Sequence, residues 1–103
     1  MLPAVDKEGY LVDLHCWNAA VAVELAGHES IGLTPEHWAI IDILREFHAQ
    51  TGVSLSMRPL VKLVAARLGA PKGNSIYLLS LFPGNPAKLA AKIAGLPRPT
   101  NCL

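Results

Sequence analysis

Charge, aromatic rings and cysteine are all scarce in this chain, and each scarcity removes a class of function. Only 17% of the 103 residues are charged, 6% are aromatic, and two are cysteine, Cys16 and Cys102. Two cysteines do not make a disulfide framework, and in a reducing compartment both are thiols. Nine Lys and Arg against eight Asp and Glu leave a formal net charge of +1, too little to suggest non-specific binding to nucleic acid. The longest apolar runs fall far short of the roughly 20 residues that span a bilayer. The opening stretch, Met1 to Lys7, has neither the basic region nor the apolar segment of a signal peptide. A cytoplasmic protein with no membrane association is expected. The glycines between Gly69 and Gly73 neither follow a strand nor match a phosphate-binding loop. No pair of carboxylates is set up for acid–base work, and no 20–50-residue repeat appears.

Metal ligation is equally thin. His37 and His48 are eleven residues apart on one predicted helix, roughly 16 Å along its axis, too far to share a metal ion. His28 is a loop residue with no visible partner. Cys16 sits between His15 and Trp17 without the spaced His–Cys set that structural zinc requires. It is expected to be a buried structural cysteine, because free cysteine is among the most buried residue types. Neither a metal nor a cofactor is expected.

What is abundant is apolar surface: 51% of residues are hydrophobic, enough for one domain to bury a core without disulfides or metal. Residues 4–12 read as a small hairpin, with Asp6–Gly9 as its turn and Tyr10, Leu11 and Val12 as a strand-like run. Asn18 caps a first helix to about Ala26, with Gly27 as its stop. Only Glu24 is clearly polar within it, so this helix is expected to be largely buried. Thr34, Pro35 and Glu36 open the clearest helix, which carries the stripe Ile40, Ile43, Leu44 and Phe47 and ends at Gly52. Ser56 opens a third, with Leu60, Val61, Leu63, Val64 and Leu68 on its buried face before Gly69. Asn74 caps a short helix through Ile76, Leu78, Leu79 and Phe82, and Asn85-Pro86 starts the last, which closes at Gly95. The aromatic residues Trp17, Trp38, Phe47, Tyr77 and Phe82 are expected in the core rather than on a stacking surface.

The predicted fold is mainly α: a compact bundle of about five helices with a small N-terminal hairpin, spanning residues 1–95. The second and third helices resemble a helix-turn-helix pair. Arg58, Lys62 and Arg67 on the latter are candidate phosphate or base contacts, or simply a solvated face. A DNA-binding regulator is therefore one reading of the chain.

Residues 96–103 form a separate, flexible arm. Pro97 and Pro99 push Leu96 and Arg98 towards an extended conformation. From Leu96 to Cys102 such an arm reaches roughly 20 Å at about 3 Å per residue. Cys102 is thus either a thiol mounted to enter another protein's site or an incidental residue on a frayed tail. The carboxylate of Leu103 opposes thiolate formation and Arg98 partly offsets it. Activation by a partner's pocket suits a carrier better than a self-contained enzyme. Arg98, with Pro97 and Pro99, is the candidate for positioning the arm or holding it in a partner.

Several stretches carry a resemblance that covers nearly the whole chain. They are Gly9-Tyr10-Leu11, Leu33 to Trp38, Gly73-Asn74-Ser75 with Tyr77-Leu78, Leu81-Phe82-Pro83, and Lys92 to Pro99 leading to Cys102. Together they resemble the DsrC/TusE family of small sulfur carriers, nearest its single-cysteine, TusE-like members. The resemblance implies a helical fold with a mobile C-terminal arm, and a penultimate cysteine, Cys102 here, that carries sulfur as a persulfide. In the DsrC branch a second cysteine stands eleven residues earlier and closes an intramolecular disulfide or trisulfide. That position is Ala91 here, and Cys16 does not match it. The single arm cysteine implies a relay acting stoichiometrically between a TusBCD-like sulfur donor complex and a MnmA-like tRNA thiouridylase, for 2-thiouridine at the wobble position. A DsrC-like paralogue working with dissimilatory sulfite reductase or DsrEFH-like proteins is the alternative.

Overall fold

The computed structural model describes residues 2–99. A short 3-10 turn, Leu14–Cys16, precedes five α-helices: α1 Ala19–His28, α2 Pro35–Thr51, α3 Met57–Leu68, α4 Ser75–Leu81 and α5 Pro86–Ile93. Four of the five starts carry their own chemical instruction; Ser56, before α3, makes no side-chain cap bond. The side chains of Asn18, Asn74 and Asn85 accept hydrogen bonds from the backbone N–H groups of Val21, Tyr77 and Lys88, satisfying donors that a helix leaves orphaned at its first turn. Pro35 and Pro86 occupy first-turn positions, where the missing N–H costs nothing.

At the head of α2 the capping partner is a histidine. His37 Nδ1 accepts from the N–H of Thr34 (3.1 Å) and lies 2.7 Å from the Thr34 hydroxyl. Nδ1 therefore carries no hydrogen, and Nε2 donates to the carbonyl of Leu81, 2.7 Å away. His37 is only 6% exposed and meets the ring of Phe82 edge-on at 5.1 Å. A buried imidazole with both nitrogens bonded ties the start of α2 to the end of α4.

α5 is the second-shortest of the five α-helices, and it packs against each of the other four. Its buried face is made of Ala87, Ala90, Ala91 and Ile93, and these small side chains let the longer helices approach its backbone closely. Around it lie Leu25, Ile40, Ile41, Leu44, Leu60, Val64, Leu78 and Phe82, all in one buried cluster. None of the helices is long and apolar enough to cross a membrane.

Several expectations are corrected. The hairpin over residues 4–12 is a tight loop closed by a single antiparallel bridge, Val5 to Leu11. The Asp6 carboxylate accepts from the N–H groups of Glu8 and Tyr10, diverting donors that a longer ladder would use. α1 does not stop at Gly27 but runs to His28, and Ser30 supplies the left-handed residue (φ 61°) beyond it. Nor is α1 largely buried: Val21, Ala22, Leu25 and Ala26 face the core, while Val23 is 54% exposed. Ten residues offer only one stripe to a neighbour. For the same reason Ile76 and Leu79 of the two-turn α4 lie outside, and only Leu78 is buried.

Cys16 is also not where it was expected. It is exposed, with Sγ 3.7 Å from an Asp13 carboxylate oxygen. The 3-10 turn buries none of its own residues; Leu14 and the following Trp17 pack partly against the core, and His15 and Cys16 face out.

Candidate functional site at the root of the C-terminal arm

The last turn of α5 is closed by a full Schellman motif. Leu96 N–H donates to the carbonyl of Ala91 (2.9 Å) and Gly95 N–H to that of Lys92 (3.1 Å), with Gly95 in the left-handed region at φ 72°. Two carbonyls at this helix end are taken by side chains from distant parts of the chain. The Trp17 indole N–H donates to Ile93 O (2.9 Å), and Arg45 Nη1 donates to Ala94 O (2.7 Å). The Arg45 guanidinium lies 3.8 Å from the Trp17 ring centroid, a cation–π stack. Burial pulls Arg45 below its usual value and neighbouring Asp42 opposes this; a guanidinium stays charged regardless. A positive group at a helix C-terminus is also favoured by the helix dipole. The direction in which the chain leaves α5 is thus set by three residues far apart in sequence: Trp17, Arg45 and Gly95.

The chain stays packed beyond Gly95. Leu96 and Pro99 are buried, while Pro97 and Arg98 are exposed. Burial thus continues past α5 at two positions three residues apart, with Pro97 and Arg98 between them turned to solvent. Arg98 reaches back to the N-terminal loop and grips Glu8 with one nitrogen, 2.6 and 2.7 Å from its two carboxylate oxygens. Both side chains are about half exposed, so the pair orients the arm more than it stabilises the fold. Beside it, Asp6 is held below the usual carboxylate value. The N–H of Tyr10 is the main cause, desolvation opposes it, and the N–H groups of Glu8 and Gly9 and the charge of Arg98 reinforce it by smaller amounts.

Several grooves flank this root. One, of about 610 Å³, is lined by Asp6, Lys7, Glu8, Arg98 and Pro99. Another, of about 320 Å³, is lined by Leu14, His15, Arg45, His48, Ala49 and Leu96. Among the described residues no group of three His, Cys, Asp or Glu side chains is placed to hold a metal ion.

Of the residues singled out from sequence, Pro97, Arg98 and Pro99 come together at this root, and Ala91 lies buried just beneath it, 1% exposed. Cys102 lies outside the described residues. Trp17, Arg45 and Glu8 were not identified from sequence as parts of the site. Nothing in the sequence pairs them with the end of α5, and only the fold brings them there. The helix-turn-helix candidates are not grouped here: Arg67 pairs with Glu46 of α2, while Arg58 and Lys62 stand exposed on α3.

A chain end anchored in this way calls for comparison with known proteins. The family model described as DsrC like protein matches residues 3–103. The chain belongs to the DsrC-like family. It is 47% identical over 100 residues to the sulfurtransferase TusE of Salmonella typhimurium, covering 97% of this chain and 92% of that protein. TusE of Escherichia coli is also 47% identical, over 98 residues, covering 95% and 90%. Among solved structures, DsrC of Allochromatium vinosum superposes with a TM-score of 0.88 at 48% identity, covering 96% of this chain and 88% of that one. The oxidized gamma-subunit of the dissimilatory sulfite reductase (DsrC) from Archaeoglobus fulgidus gives 0.85 at 40% identity, covering 98% and 92%. The helical architecture of this DsrC-like chain is the one those neighbours share.

Proposed function

We propose that this DsrC-like protein is a sulfur carrier in a relay, with Cys102 alternating between thiol and persulfide. The Cys102 thiolate attacks the outer sulfur of a donor persulfide; the donor's S–S bond breaks and its cysteine leaves as a thiolate. The outer sulfur, with its proton, now sits on Cys102. A receiving cysteine then attacks that sulfur in the same way, and Cys102 returns to the thiolate. No external oxidant or reductant is consumed, and the rate follows thiolate fraction and access.

The observation that carries this reading is full-length similarity to sulfurtransferases named TusE, in a family match that extends through Cys102. The anchored root is consistent with it. The chain is held on the body as far as Pro99, and Cys102 follows three positions later, so one cysteine can be offered to two partners in turn from a fixed root. The partners of finer identity are a TusBCD-like donor complex and a MnmA-like thiouridylase, with 2-thiouridine in tRNA as the product, in the cytoplasm. Similarity to DsrC proteins supports a second reading, a paralogue that works with dissimilatory sulfite reductase or DsrEFH-like proteins. The alanine at position 91 weighs against a role that needs an internal disulfide or trisulfide.

Incubation with a persulfide donor followed by intact mass measurement tests the reading. The wild type and Cys16→Ser gain one sulfur, and Cys102→Ser gains none. Equal uptake by Cys102→Ser overturns it.

A further inference from the structure

The charges of this chain are segregated along it. All eight carboxylates lie at or before Glu46, and seven of the nine Lys and Arg side chains lie after it. Folding neutralises part of this division. Arg67 pairs with Glu46, Lys92 with Glu29 and Arg98 with Glu8, and the charge of Lys72 acts on Glu36. Lys7, Lys88, Arg58 and Lys62 are left over among the described residues, Lys88 half-buried on α5 and the other three exposed; of these, Arg58 and Lys62 share a helix. These two stand one turn apart on α3, both exposed, and neither has an ion pair among the described residues.

Their position matters because the arm is short. Two residues separate Pro99 from Cys102, and the three steps reach about 10 Å. Any protein that receives sulfur from Cys102 must therefore touch the surface around the arm root, since a standard docking footprint covers about 800 Å² per partner. One wall of that root is the loop before α3: Gly52, Val53 and Ser54 form a cleft with Pro97 and Arg98. Val53 is 51% exposed there, and α3 begins three residues after Ser54.

We propose that this face, with Val53 at its centre and Arg58 and Lys62 beside it, docks a partner protein whose receiving cysteine is surrounded by acidic side chains. The inference rests on the carrier reading and names the chemistry of the partner. A transient relay gains most from opposite charge, which speeds encounter and fixes orientation without demanding tight binding. A protein surface fits better than a nucleic acid. The uncommitted cations are few against the six to ten phosphate contacts of a typical complex. No Phe, Trp or Tyr ring among the described residues is exposed to stack on a base.

The test uses the full chain loaded with sulfur and two synthetic cysteine peptides, one flanked by glutamates and one by serines. Transfer rates are measured for the wild type, Arg58→Glu/Lys62→Glu and the milder Arg58→Gln/Lys62→Gln. The ratio of acidic-peptide to neutral-peptide rates should fall about tenfold in the Glu variant, the lower end of electrostatic steering. A smaller fall is expected for the Gln variant and for the wild type in high salt. Rates with the neutral peptide should stay level, which controls for folding. A ratio unmoved by either substitution or by salt overturns the docking face while leaving the carrier intact. Failure of the loaded wild type to give sulfur to either peptide overturns the carrier reading itself, and the docking face with it. Tighter binding of bulk tRNA than of the acidic peptide, lost in the same variants, reassigns the face to nucleic acid and overturns the proposal.

Discussion

Trp17 and Gly95 touch so closely that neither position can be chosen independently. A Cβ built on residue 95 would lie 2.3 Å from Trp17 Cδ1 and 2.6 Å from Cγ, and the backbone there has φ 72°. The glycine is needed twice, once for the left-handed turn that closes α5 and once for the indole that lies over it. The contact joins the segment before α1 to the root of the arm.

Gly95→Ala is therefore expected to destabilise the fold by about 2–4 kcal/mol, from left-handed strain and overpacking together. Urea denaturation of the wild type, Gly95→Ala, Trp17→Ala and the double variant separates the two causes. Removing the indole relieves the clash but not the strain, so the double variant should be more stable than the sum of the single losses predicts, by about 0.5–3 kcal/mol of coupling. Strict additivity would mean that the two residues do not meet.

Asp6 gives the fold a dependence on acid. Its folded carboxyl is held below the ordinary 3.8, chiefly by the N–H of Tyr10. A group lowered in the folded state contributes its stability above the unfolded value and loses it as pH falls through the folded one. The urea midpoint of the wild type should thus decline as pH drops below about 3.8, and that of Asp6→Asn should decline less. Equal slopes for the two proteins across this range would remove Asp6 as the cause.

How far the sequence carries the structure depends on where each signal is stored. The starts of α1, α2, α4 and α5 were legible because Asn18, Thr34-Pro35, Asn74 and Asn85-Pro86 act on donors within three residues of themselves. The exposed side of α1 was not, since Val23 and Val21 are chemically alike and only the neighbours decide which one is covered. Gly95 was readable as a helix stop. Its second duty was not, because Trp17 lies 78 positions away and enters through tertiary packing alone. The same holds for Arg45, whose bond to the Ala94 carbonyl spans 49 positions. Charge was misjudged differently: the near-zero total hid a division that appears only when carboxylates and cations are placed along the chain. Cys102 and the arm were marked by local prolines and by family resemblance, which survive without any tertiary information.

Cys16 separates a burial rule from the local geometry that overrides it. The rule that free cysteines are buried expects a thiol in the core, yet the 3-10 turn at Leu14–Cys16 presents it to solvent beside Asp13. Cys16→Ser should then leave stability within about 0.5 kcal/mol of the wild type, as exposed substitutions usually do. Maleimide labelling of the native protein should lose one equivalent in that variant. Sulfur loading should be unchanged, because the carrier we propose is Cys102. A loss of several kcal/mol with unchanged labelling would show that Cys16 is buried after all. Loss of sulfur loading with normal stability would instead make Cys16 a second participant in the relay.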